Sequence, residues 1–311
     1  MISHDLKILS IIIPVYFNEG SLPALFDKLL DIERDLSNNI KLELVFVDDG
    51  SEDGSLNLLR QFKLMRPSTK VIKLSRNFGA ISAVKVGLNY ISGDCFMFLA
   101  ADLQDPPELI PEMVVKWLAG HKYVICERID REDPFLSRVY SAIYYKILRK
   151  FVVNDYPRKG FDLALMDKQF LPYLKNGGKH VNYPLFPFWL GFSPEVIQYK
   201  RVAREHGKSR WTFGKKWKLL LDSVLSFSFA PVRFISAIGL IVSLGSLTYG
   251  LVVVFSALLG QVDVPGFATI ASLVSFLLGL IIIMLGIISE YVWRIFDEVN
   301  KHPYAVVDEE I

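Results

Sequence analysis

The sequence predicts an α/β domain with a mostly parallel sheet covered by helices on both faces, followed by two helices that cross a membrane. Three observations carry this. Short, nearly continuous apolar runs alternate with polar helical stretches through the N-terminal part of the chain. The composition changes sharply near Pro231. Beyond it, residues 234–259 and 267–288 form two segments without a charged side chain. Each is long enough to cross a hydrocarbon core of about 30 Å as a helix.

Taken in order, strands are predicted at 7–14, 42–47, 70–74 and 95–100. Helices are predicted between them at 22–36, 55–65 and 80–91. Strands that read as apolar runs, alternating with helices, imply a parallel sheet buried on both faces. Ligands of such sheets bind at the carboxyl ends of the strands. The apolar run 8–15 is not a secretory signal, because Asn18 and Glu19 follow at once with no small-residue cleavage site. The domain is therefore expected to stay in the cytoplasm.

The two apolar segments carry glycines at 239, 245, 250, 279 and 286, which suit close helix contact in lipid. Lys215, Lys216, Lys218 and Arg233 precede the first segment, and Arg294 and Lys301 follow the second. The connecting loop 260–266 has Asp263 and no basic residue. Basic residues favour the cytoplasmic side, so both flanks and both termini are expected there. Between 213 and 231, basic residues at 215, 216 and 218 accompany an apolar face with Trp217, Leu220, Leu221 and Val224. That pattern reads as an amphipathic helix lying in the membrane interface. The expected organisation is a cytoplasmic domain over 1–212, the interfacial helix over 213–231, two spans within 232–293 and a cytoplasmic tail over 294–311. The formal net charge of +2 gives no sign of a nucleic-acid partner. Cys95 and Cys126 lie in apolar strand-like runs and read as buried free thiols.

Each predicted strand ends in polar, loop-forming residues. These are Pro14-Val15-Tyr16-Phe17-Asn18-Glu19, Val47-Asp48-Asp49-Gly50-Ser51, Ser75-Arg76-Asn77-Phe78-Gly79 and Ala100-Ala101-Asp102-Leu103-Gln104-Asp105. Any one of them has a bland structural reading; Asp49 and Ser51, for instance, suit the cap of the next helix. Four such ends converging on one sheet edge suit nucleoside diphosphate handling better. One carboxylate can accept hydrogen bonds from base or ribose, and another can hold Mg²⁺ or Mn²⁺ against a diphosphate. Neither a dinucleotide glycine fingerprint nor a P-loop is present.

With these motifs and the tail Gly286-Ile287-Ile288-Ser289-Glu290-Tyr291, the chain resembles family 2 glycosyltransferases of the GT-A fold. Within them it is similar to the dolichyl-phosphate mannose synthase and bactoprenol glucosyltransferase group. The resemblance implies a Rossmann-like GT-A sheet and inverting transfer of a hexose from a nucleotide sugar, UDP-glucose or a related UDP-sugar, to polyprenyl phosphate. It implies a site at the plasma membrane's inner face, Mg²⁺ or Mn²⁺ as cofactor, and a homo-oligomer and a lipid flippase as partners. It assigns Pro14, Tyr16, Glu19, Asp49 and Arg76 to the nucleotide sugar. It assigns Asp102, Gln104 and Asp105 to the metal, and Arg128 and Asp162 to catalysis with Asp102. Arg204 and Arg210 match a loop that closes over the diphosphate, and Arg131, Arg138 and Lys159 are candidates for the acceptor phosphate.

Two departures stand out. Relatives read Asp-Ala-Asp-Leu-Gln where this chain begins with Ala100. A segment that often reads Gly-Asp-Phe-Arg-Leu is here Gly160-Phe161-Asp162-Leu163-Ala164. The carboxylate has moved one place, which reverses its side of a strand unless a bulge intervenes. Two rival functions follow. A processive polysaccharide synthase usually carries Gln-x-x-Arg-Trp, but Gly207 precedes Arg210-Trp211 here, and two spans are few for a polymer channel. A catalytically inactive membrane adaptor is suggested by Ala100 and opposed by the retained Asp102, Gln104, Arg204 and Arg210.

Overall fold

The computed structural model describes residues 6–36, 39–129, 135–158, 160–178, 183–199, 223, 228, 230–259, 266–300 and 302–311. The chain forms two units, one of Met1–Ser223 with Pro303–Ile311 and the other of Val224–His302.

The first unit is built on an eight-stranded sheet. Its strands are β1 (Lys7–Val15), β2 (Ile40–Asp48), β3 (Lys70–Leu74), β4 (Cys95–Phe98), β5 (Tyr123–Arg128), β6 (Phe161–Asp167), β7 (Glu195–Tyr199) and β8 (Val307–Glu310). Their order across the sheet is β7-β5-β6-β4-β1-β2-β3-β8. β1, β2, β3 and β4 are mutually parallel, and β5 pairs with β7 in parallel. β6 runs against β4 and β5, and β8 runs against β3. The six remaining strands therefore point one way, and their carboxyl ends share one edge with the start of β6.

Helices α1 (Leu22–Asp35), α2 (Ser55–Met65) and α3 (Ala80–Gly87) follow β1 to β3 as predicted, and α4 (Ile110–Leu118) and α5 (Phe135–Phe151) continue the alternation. On α1, Leu22, Leu25, Phe26, Leu29 and Ile32 are buried at helical spacing. They join Leu59 and Phe62 of α2 and the strand residues Ile11, Ile13, Leu44 and Phe46 in one core. Phe26 and Phe62 stack with centroids 4.0 Å apart. Pleat alternation sends Ile12 and Val47 to the opposite face, where Gly87 of α3 lies against them. Helices thus cover both faces, as the apolar strands required. Cys95 and Cys126 are buried and unpaired with each other. Burial pushes the Cys126 thiol up to about 12 and Cys95 higher still, so both stay protonated.

The second unit holds two apolar helices, Ala230–Leu258 and Phe267–Val299. The stretches Pro231–Val252 and Phe276–Val299 are long and apolar enough to cross a membrane. Exposed Leu, Ile, Val and Phe line them, a surface that suits lipid. The predicted interfacial helix over 213–231 lies almost wholly outside the described residues. The tail does not simply trail away: Val307–Glu310 returns as strand β8.

Candidate functional site at the carboxyl edge of the sheet

The edge is organised by backbone clasps between the loops that follow β1, β2 and β3. After β1 the chain turns at Phe17, which has a positive φ of 55°. The Phe17 N–H donates to Ser51 Oγ at 3.2 Å, and Asn18 N–H donates to Ser55 Oγ at 2.9 Å. Glu19 reaches the start of α2, where Oε2 accepts from Gly54 N–H at 3.0 Å. Asp53 caps the same helix end, accepting from Ser55 N–H at 3.1 Å. Capping of α2 is therefore done by Glu19 and Asp53. Tyr16 and Phe17 stay on the surface with rings edge to face, centroids 4.6 Å apart. They offer an aromatic platform beside Pro14.

Asp49 has a different task. Its side chain is almost fully buried. One carboxylate oxygen accepts from Phe78 N–H at 2.7 Å and the other from Gly79 N–H at 2.9 Å. Asp49 thus draws the loop after β3 onto the end of β2. Gly50, at φ 71°, permits this approach: a Cβ there would sit 2.7 Å from the Arg76 carbonyl carbon. Burial pushes the Asp49 carboxyl above the usual carboxylate range, against the two N–H groups that favour its charge. Asp48 is fully buried, and its Oδ1 has no hydrogen-bond partner. Burial raises it too, opposed by hydrogen bonds from Ser51. Arg76 lies over the Phe78 ring at 4.7 Å.

β4 lies beside β1, so its loop meets the loop that holds Tyr16. Ser21 Oγ donates to Ala101 carbonyl at 2.7 Å and ties the start of α1 to that loop. Leu103 takes a positive φ of 56°, a conformation non-glycine residues rarely adopt. Asp102 Oδ1 accepts from Gln104 N–H at 3.3 Å within the turn. The two positive-φ side-chain residues of the described chain, Phe17 and Leu103, thus stand on adjacent loops of this edge. Backbone strain of this kind gathers where a site is shaped. Among the described residues no three His, Cys, Asp or Glu side chains cluster as metal ligands. The hard oxygens of Asp102, Asp105 and the Gln104 amide still fit Mg²⁺ or Mn²⁺, which bind through one or two carboxylates plus substrate phosphates.

Farther along the edge, Arg128 and Asp162 form a two-pronged ion pair, and the Tyr199 hydroxyl donates to the same carboxylate. The Arg128 and Asp162 side chains are 14% and 8% exposed. Burial works against the Arg128 charge, but the Asp162 carboxylate outweighs it and raises the guanidinium. Burial, then the bond to Asp162, raises the Tyr199 hydroxyl, so it stays protonated. The shifted carboxylate finds its place through a bulge. Cys126 pairs with Leu163 and Glu127 with Phe161, which leaves Asp162 as the extra residue. Tyr199 is the member that the motifs do not mark; its only sequence signal is its place at the end of a short alternating strand.

The structure places Pro14 at the end of β1, brings Tyr16, Glu19, Asp49, Arg76, Asp102, Gln104 and Asp105 to the loops that follow β1 to β4, and sets Arg128 at the end of β5 against Asp162 at the start of β6. Arg131, Lys159, Arg204 and Arg210 lie outside the described residues, and of Arg138 only the helix α5 that carries it is described.

The chain is similar to known proteins over most of its length. An uncharacterized glycosyltransferase of Synechocystis sp. is 33% identical over 303 residues, covering 97% of this chain and 95% of its own. A bactoprenol glucosyl transferase of Shigella flexneri, derived from prophage SfII, is 29% identical over 301 residues, covering 96% and 97%. Among solved structures, glucosyl-3-phosphoglycerate synthase of Mycobacterium tuberculosis, crystallised with Mn²⁺, UDP and glucosyl-3-phosphoglycerate, is similar at TM-score 0.44 and 16% identity. That match covers 65% of this chain and 73% of its own. The family model described as glycosyl transferase family 2 matches residues 10–173, which takes in the loops after β1 to β5 and the bulge at Asp162. The chain is a family 2 glycosyltransferase, related to the bactoprenol glucosyltransferases.

Proposed function

We propose that this enzyme transfers a hexose from a UDP-sugar to a polyprenyl phosphate at the cytoplasmic face of the plasma membrane, inverting the anomeric centre. One observation carries the proposal: similarity to bactoprenol glucosyl transferases runs over 96% of the chain, through both apolar helices, and so beyond the catalytic family match. A lipid acceptor gives those helices a purpose. The placement of both flanks on one side is supported by β8, which follows the second apolar helix and pairs with a strand that precedes the first. Two crossings then return the chain to its starting side, and the basic flanks make that side cytoplasmic.

In this mechanism Asp49 and Gly50 hold the 75–79 loop as one wall of the nucleoside site, with Tyr16 and Pro14 as the other. Asp102, Gln104 and Asp105 would hold Mg²⁺ or Mn²⁺. When bound, that ion neutralises charge on the departing diphosphate. An acceptor phosphate monoester has a second pKa near 6, so at neutral pH it needs orientation more than a base. Its oxygen attacks the anomeric carbon as the bond from that carbon to the UDP oxygen breaks. Asp162 keeps Arg128 extended and charged at the edge, where it stabilises developing negative charge. Arg204 and Arg210 complete the diphosphate site, and Arg131, Arg138 and Lys159 steer the acceptor phosphate.

The test is transfer of radiolabel from UDP-glucose, UDP-galactose, UDP-N-acetylglucosamine and GDP-mannose to undecaprenyl phosphate, with the full chain in detergent and Mg²⁺ or Mn²⁺. One donor is expected to label a butanol-extractable lipid carrying a single sugar. Label in a polymer would favour a processive synthase. No label from any donor, in protein that binds UDP, would overturn lipid transfer.

A further inference from the structure

We propose that the C-terminal segment, Pro303–Ile311, is a positioning element for the nucleotide donor: strand β8 braces the strand that enters the 75–79 loop, and Tyr304 braces the helix that leaves it. The proposal rests on the donor site described above and adds residues that no motif of that site contains.

The brace begins at the strand that feeds the loop. β8 pairs with β3 through Ile72 with Glu310, Lys73 with Glu309 and Leu74 with Val307. The register skips Asp308, and its freed carboxylate takes the Lys73 ammonium at 2.5 Å. The pairing then extends past the end of β3, where Ser75 N–H donates to the Val306 carbonyl at 3.0 Å. Ser75 is the first residue of the loop. At the other end, Ile311 N–H donates to the Val71 carbonyl at 2.9 Å.

The same segment grips the helix that leaves the loop. The Lys85 ammonium of α3 lies 4.7 Å from the centroid of the Tyr304 ring. Lys85 is buried, and its ammonium also donates to the Gly177 carbonyl at 2.5 Å. The Tyr304 hydroxyl accepts from Asn89 Nδ2 at 3.1 Å. Beyond α3, the Tyr90 hydroxyl donates to Glu310. Arg60 of α2 meets Glu309 at 2.7 Å.

The 75–79 loop is therefore held from two directions. Gly50 and Asp49 hold its middle and its exit from β2, and the C-terminal segment holds its entry through β3 and the far end of α3 at Lys85 and Asn89. Without β8, the five-residue β3 would be an open edge strand, and the ends of such strands open easily. A loosened loop must be ordered by the ligand it binds, at a cost in affinity. The chemistry itself would be untouched.

The experiment measures UDP binding calorimetrically, with saturating Mn²⁺, to the full chain in detergent. Three changes are compared with it: termination after His302, Tyr304→Ala and Tyr304→Phe. Asp49→Ala reports on the donor site itself. Loss of the segment is expected to weaken UDP about tenfold at unchanged stoichiometry. A peptide of residues 303–311 added to the shortened chain restores affinity. Tyr304→Ala weakens UDP severalfold, while Tyr304→Phe, which keeps the ring over Lys85, stays near wild type. A purely structural role would lower the stoichiometry and leave the affinity of the folded fraction intact, and that result overturns the proposal. So does a Tyr304→Ala variant that melts normally and binds UDP normally while Asp49→Ala does not bind. If Asp49→Ala binds UDP like wild type, the donor site fails and the brace fails with it.

Discussion

Replacing Asp162 with alanine strands a buried cation. Arg128 keeps its charge, but loses both hydrogen bonds to the carboxylate, and Tyr199 loses the acceptor of its hydroxyl. Breaking one side of a buried ion pair costs about 3–5 kcal/mol, because the remaining charge stays desolvated. An orphaned buried hydroxyl costs about 1–3 kcal/mol more, though the two overlap. Taking about 4 kcal/mol for the whole and about 2–4 °C per kcal/mol for a domain of this size, the melting temperature should fall by about 8–16 °C. Removing all three polar groups together behaves differently. Arg128→Met, Asp162→Leu and Tyr199→Phe in one chain leave no unpaired charge, and such apolar replacements are often neutral or stabilising. The triple variant should therefore melt within a few degrees of wild type, above Asp162→Ala. Tryptophan fluorescence during heating of the full chain in detergent measures both. The triple variant should still lose lipid transfer by two or more orders of magnitude, because the charge proposed to face the diphosphate is gone. A triple variant that melts as low as Asp162→Ala refutes the charge-pairing account, and one that transfers sugar normally refutes the role of Arg128.

Asp102→Asn should abolish metal-dependent transfer by orders of magnitude with an unchanged melting curve, and near-normal turnover at saturating Mn²⁺ would remove Asp102 from the metal. Asp49→Ala loses two charge-assisted bonds to the 75–79 loop, so the donor KM should rise at least tenfold while kcat changes less; the opposite split counts against its role as a wall of the nucleoside site. Asp48→Asn tests the buried carboxyl with an unpartnered oxygen. Its folded pKa is raised, so ionising it opposes folding: stability declines as pH rises from the unfolded carboxylate value through the folded one. The melting difference between Asp48→Asn and wild type should be small near pH 4 and grow toward pH 8 in favour of the variant; a flat difference would mean Asp48 is not forced to ionise in the fold.

Much of this protein is legible along the chain because it is local. The alternation of apolar runs and amphipathic helices sets β1 to β4 and α1 to α3 to within a few residues of their ends. Uncharged length marks the two apolar helices, since fitness to cross a membrane is a property of length and composition. The loops after β1 to β4 are visible because turn residues, carboxylates and glycines gather where strands stop. What these residues do there is less visible. Asp49 reads as a ligand for base or ribose, and only the structure shows that its two oxygens also accept from Phe78 and Gly79 N–H, because a buried carboxylate takes the nearest backbone donors.

Which ends meet is a matter of long-range pairing. β4 inserts beside β1 and brings the Asp102 loop to Tyr16, a pairing between strands far apart in sequence that no local pattern encodes. The bulge opposite Cys126 and Glu127 re-aims Asp162 onto Arg128, and only the partner strand's register reveals it. β8 is the clearest case. Val307-Asp308-Glu309-Glu310 has no apolar alternation and little strand propensity, so in isolation it reads as a solvated tail. It becomes a strand because β3 offers an open row of backbone donors and acceptors, with Lys73 and Arg60 placed to meet its carboxylates. Local pattern was enough to specify β1 to β4, the helices between them and the two apolar helices. Contacts between distant strands settled which loops form the site and what holds them there, because such contacts depend on the register of the whole sheet rather than on any one segment.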